Sequence, residues 1–66
     1  MNETNVLEAG IRKTEQRLAE YEEKYGIATH EFIRRFEANE FDETLDFIEW
    51  IGEYRMLESL QEKMDI

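Results

Sequence analysis

From Leu7 onward the apolar or large residues fall at Leu7, Ile11, Thr14, Leu18, Tyr21 and Tyr25, at intervals of 4, 3, 4, 3 and 4. That period lays them in one stripe along an α-helix. Asn5, with Glu8 three residues later, has the form of a capping box that opens such a helix. Gly26, directly after Tyr25, is placed for a left-handed C-terminal cap, with Ile27 folding back onto the last turn. The first predicted helix covers about residues 5–25.

A shorter helix over 30–38 follows, with Thr29 as its cap, Glu31 in its first turn and Phe32, Ile33 and Phe36 lining one side. Asn39 stops it, because Asn tolerates the left-handed conformation. Asp42 then reads as the cap of a third helix over 43–64. In that helix Phe47, Trp50, Ile51, Tyr54, Leu57 and Met64 recur at helical spacing, and Leu45, Ile48, Met56 and Leu60 widen the stripe. Gly52 sits inside it, roughly opposite the main stripe, at a cost of up to about 1 kcal/mol relative to Ala. A close neighbour on that side would justify it.

The pattern predicts an all-α chain with one helical domain over 1–66: a helical hairpin of two long helices joined by a short one. Folding the long helices back on each other brings Tyr21, Tyr25, Phe32, Phe36, Phe41, Phe47 and Trp50 together at one end. The third helix carries more apolar surface than one neighbour covers, so Ile48, Ile51, Met56, Leu57, Leu60 and Met64 are candidate oligomer-interface residues. The simplest second neighbour is another copy of the chain, giving a dimer with a four-helix core. Size points the same way. A compact 8.0 kDa fold exposes roughly 4,400 Å² against roughly 11,600 Å² unfolded. Burial is then worth on the order of 105 kcal/mol against roughly 100 kcal/mol of ordering entropy. No cysteine is present to add a disulfide.

Charge removes several function classes. The chain has 17 acidic and 8 basic residues, a net of −9. A sequence pI near 4.4 argues against nucleic-acid binding through phosphate neutralisation. Apolar runs of two or three residues predict no membrane span and no secretory leader, and the absence of cysteine is compatible with the cytoplasm. Residues 1–28 hold six acids and four bases, whereas 29–66 hold eleven acids and four bases. Between Glu37 and Glu53 stand seven acids and no base. Mutual repulsion there should raise carboxylate pKa values, so that stability grows as pH falls from 7 toward about 5.

The acids between Glu37 and Glu53 read either as a solvated face or as a docking surface for a basic protein. In the second reading the partner-binding candidates are Glu37, Glu40, Phe41, Asp42, Glu43, Asp46, Glu49, Trp50, Glu53 and Tyr54. Asp42, Thr44, Asp46 and Glu53 match places one, three, five and twelve of a calcium loop, but Phe47 stands at the sixth, where the turn demands glycine. Glu40, Glu43 and Asp46 also mimic the spaced carboxylates of magnesium-dependent helical nucleotide hydrolases, yet no cluster of Lys or Arg stands by to hold phosphate. His30 is the only histidine and forms no nucleophilic constellation. No catalytic residue, metal ligand or cofactor site is assigned. Arg34 and Arg35 are expected to contact acids of the same dimer. Along the first helix Glu8, Glu15 and Glu22 flank the stripe on one side, with Arg17 and Lys24 on the other.

Lys24-Tyr25-Gly26, Glu31-Phe32-Ile33, Phe36-Glu37 and Asp46-Phe47-Ile48-Glu49-Trp50 resemble a group of short acidic archaeal and bacterial proteins, some of them antitoxin-like. The resemblance covers roughly residues 15–60 and carries no catalytic residues. It implies a helical binding protein, the neutralising half of a pair whose other half is a basic toxin. It lacks the basic DNA-binding arm that such proteins often add. The expected function is a non-enzymatic protein–protein interaction module of this kind. The alternatives are a purely self-associating structural protein and, third, a small metal-dependent helical nucleotide hydrolase.

Overall fold

The fold is that of a computed structural model, which describes residues 3–64. Three helices make up its regular structure: α1 (Glu3–Tyr25), α2 (Thr29–Glu37) and α3 (Leu45–Met64). The all-α class follows directly.

Each junction is set by local chemistry. Gly26 takes a left-handed φ of 68° and its N–H bonds the Glu22 carbonyl at 2.8 Å, which ends α1. Asn39 ends α2 in the same way with φ 62°. Its N–H reaches the Phe36 carbonyl at 3.0 Å and the Glu40 N–H reaches Arg35 at 3.0 Å, the paired bonds of a Schellman cap. The Arg35–Glu40 side-chain ion pair, also 3.0 Å, clamps the two residues that such a cap brings together.

Three helix starts correct the sequence reading. Asn5 lies inside α1, which begins at Glu3, so it does not cap the helix. Thr29 is the first residue of α2, after an N-cap Ala28 that has no side chain to offer. The Thr29 hydroxyl is taken elsewhere, and its N–H is satisfied instead by the Glu22 carboxylate of α1 at 2.6 Å. Asp42 does not cap α3. Thr44 does, its hydroxyl accepting the Phe47 N–H at 3.2 Å, while the Asp42 carbonyl accepts the Thr44 N–H at 3.0 Å.

The contacts between α1 and α3 pair rising numbers with falling ones: Gly10 with Leu60, Arg17 with Glu53, Tyr21 with Glu49 and Tyr25 with Asp46. Leu18, Phe32 and Trp50 are buried between the helices, and Tyr21, Phe36, Phe41, Phe47, Ile51, Tyr54 and Leu57 pack around them half-buried. Phe32 lies flat on Trp50, ring centroids 3.9 Å apart. Polar groups at the core are satisfied, since Thr14 Oγ1 donates to the Gly10 carbonyl at 2.9 Å and Trp50 Nε1 donates to Thr29 Oγ1 at 3.0 Å. The body is elongated, 42 × 21 × 18 Å, and exposes 5027 Å². That is roughly 600 Å² more than a compact chain of this mass leaves in water. Among the described residues no helix is long and apolar enough to cross a membrane.

Candidate functional site

The acidic run is not unpartnered. Steps of four and three residues along α1 place Arg17, Tyr21 and Lys24 on one edge, and the same steps in reverse along α3 place Glu53, Glu49 and Asp46 opposite them. Arg17 Nη1 meets Glu53 Oε1 at 2.9 Å and Lys24 Nζ meets Asp46 Oδ2 at 2.7 Å. Tyr21 donates its hydroxyl to Glu49 at 3.1 Å, and Tyr25 donates to Asp46 at 2.5 Å. This edge frames an open groove of about 730 Å³ between the helices.

The charges respond accordingly. Hydrogen bonds from Lys24 and then Tyr25 hold the Asp46 carboxyl below its ordinary pKa, and the same bond holds the Lys24 ammonium above its own. The Glu31 carboxyl is also lowered, chiefly by its bond from Arg34. The expectation of raised carboxylates is thus corrected at Asp46, because bases distant in sequence arrive through the fold. Arg34 and Arg35 are likewise engaged at home, with Glu31 and Glu40, rather than held for another chain.

Of the partner-binding candidates, Trp50 is corrected outright. It is 0% exposed, and its only polar atom is bonded to Thr29. Phe41 and Tyr54 are half-buried around the core, and Asp46, Glu49, Glu53 and Glu40 are bonded within the chain. Glu37, Asp42 and Glu43 are exposed, and among the described residues none of them is in an ion pair. Glu37 lines a second groove, of about 510 Å³, with Ile33, Phe36, Ile51, Tyr54 and Arg55. The nearby Glu58 charge, with burial and Glu37 adding to it, raises the Tyr54 pKa.

The oligomer-interface candidates divide in two. Ile51 and Leu57 pack on the core, and Leu60 lies over Gly10, where a Cβ would meet its side chain at 3.3 Å, so these three are spent inside the protomer. Ile48 and Met56 remain 51% and 53% exposed, and Met64 is exposed at the far end. Leu45 joins them at 73%, a residue whose role the stripe alone does not reveal. His30 is exposed on the first turn of α2. Residues 45–53 are helical, so the calcium-loop geometry is not formed there. Among the described residues no three His, Cys, Asp or Glu side chains cluster as metal ligands.

Comparison with protein-family models, with curated proteins and with solved structures finds no match to this chain. What the site offers is therefore read from its residues: two open grooves, an internally paired polar edge, and an exposed apolar face on α3.

Proposed function

We propose that this chain is a cytoplasmic, non-enzymatic protein–protein interaction module that works as a homo-oligomer, a dimer of helical hairpins sharing a four-helix core. The carrying observation is the mismatch between its small interior and its outward face. Only Leu18, Phe32 and Trp50 are buried among the described apolar side chains, while Leu45, Ile48 and Met56 stand at least half exposed on one helix. Large apolar side chains grouped on a surface favour a protein neighbour over water. An associating chain has a thermal midpoint that rises with its own concentration. Scans across a hundredfold concentration range test this, and a concentration-independent midpoint contradicts it.

A second reading keeps the acidic surface as a dock for a basic protein, such as the toxin of an antitoxin-like pair. It is favoured by Glu37, Asp42 and Glu43, which are exposed and outside the ion pairs that engage their neighbours. Association with a basic partner slows steeply as salt rises, whereas self-association of a chain at −9 strengthens. The triple change of these three residues to Gln or Asn should lower the partner on-rate and leave self-association intact. An unchanged on-rate dismisses this reading.

A further inference from the structure

The outward face of α3 runs Leu45, Ile48, Gly52, Met56 and Ser59, at intervals of 3, 4, 4 and 3, a single line along the helix. Gly52 is at its centre, with one bulky residue four positions before it and another four after. A Cβ built on Gly52 would meet nothing within 4 Å. The protomer's own packing therefore does not require glycine there, and a mid-helix glycine costs about 1 kcal/mol relative to Ala. The missing side chain leaves open space between Ile48 and Met56, where glycine permits a close backbone approach.

We infer that two copies of the chain pair through this face, α3 against α3 and antiparallel, with the two-fold axis at Gly52. This rests on the self-association reading above and names its surface and geometry. The pattern is self-complementary in that arrangement. Gly52 faces the partner's Gly52, Ile48 shares a layer with the partner's Met56, and Leu45 lies level with the partner's Ser59.

Charge selects the same orientation. Residues 37–53 hold seven acids and no base, while 54–64 hold Glu58 and Glu62 against Arg55 and Lys63. Antiparallel pairing lays each acidic half along a neutral one. It also brings Arg55 and Lys63, which join no ion pair among the described residues, beside the partner's acids. Parallel pairing would set two acidic halves and two helix N-termini against each other.

The test is sedimentation equilibrium on the full chain and on Gly52→Leu and Met56→Glu, with circular dichroism on each. Both substitutions point into open or exposed positions of the protomer, so helix content should be retained. The expected result is a dimerisation constant weakened at least tenfold by either. Orientation is read separately, since the chain has no cysteine of its own. A mixture of Leu45→Cys and Ser59→Cys chains should oxidise to the mixed disulfide, and Leu45→Cys alone should not cross-link. A dimer unaffected by Gly52→Leu and Met56→Glu overturns this interface while leaving self-association standing. Cross-linking of Leu45→Cys with itself overturns the antiparallel axis, and a native chain that stays monomeric removes the reading beneath it.

Discussion

Trp50 of α3 donates its indole N–H to the hydroxyl of Thr29, the first residue of α2, at 3.0 Å, and both residues are buried. The bond ties the fully buried ring that stacks on Phe32 to the start of the helix that carries Phe32. Thr29 and Trp50 are thus coupled through one hydrogen bond and one helix terminus.

Removing both partners of this bond should cost less than the sum of removing each alone. Thr29→Val leaves a buried N–H unpaired and should cost about 1–3 kcal/mol in urea denaturation. Adding Trp50→Phe to it should cost less than the two single changes together. Additive costs would show that the bond contributes nothing.

Glu22 supplies what Ala28 cannot, accepting the Thr29 N–H at 2.6 Å from a neighbouring helix. A charged acceptor at a helix N-terminus is worth more than a neutral one. Glu22→Gln should therefore lower stability by about 0.5–1 kcal/mol, in the range of a lost cap. An unchanged urea midpoint would remove Glu22 from this role.

Acid sensitivity follows from Asp46 and Glu31, whose carboxyls are held below their ordinary values by Lys24 and Arg34. A depressed folded pKa means that the unfolded chain binds more protons in acid. The stability these groups add is complete above their unfolded pKa values of about 4 and is lost as pH falls further through the folded ones. The urea midpoint should hold between pH 7 and about 5 and decline below about 4, and Asp46→Asn should flatten that decline. Stability that climbs from pH 7 down to 4 would mean that repulsion among the acids dominates.

All three tyrosines should ionise late. Burial raises Tyr21, with the bond to Glu49 adding to it; the bond to Asp46 raises Tyr25; the Glu58 charge raises Tyr54. Each binds its proton more tightly when folded, so the stability it lends is present below the ordinary value of about 10 and is lost above the folded one. Tyrosinate absorbance should appear at higher pH in the native chain than in urea. Coincident curves would contradict the Tyr25–Asp46 and Tyr21–Glu49 bonds.

Much of the fold was legible in the sequence because its signals are local. The stripe from Leu7 to Tyr25 and the stops at Gly26 and Asn39 each depend on residues within a turn or two, and the structure places both stops at positive φ. What escaped was long-range. Thr29 looks like a cap until Trp50 arrives from 21 residues away to claim its hydroxyl. The acids look unpaired until α1 brings Arg17, Tyr21 and Lys24 across, although their matching four-and-three spacing was the available clue. The exposed face of α3 was half visible: an excess of apolar residues is countable in sequence, but which ones the protomer consumes is decided by packing.

On the proposed self-association, the outward face of α3 is covered by another copy of the chain. Sedimentation equilibrium of the native protein at tens of micromolar, at low and at high salt, tests it most directly. The expected mass is twice that of the 8.0 kDa chain, with association strengthening as salt screens the net charge of −9. A single 8.0 kDa species at both salt concentrations, unfolding cooperatively, would contradict it.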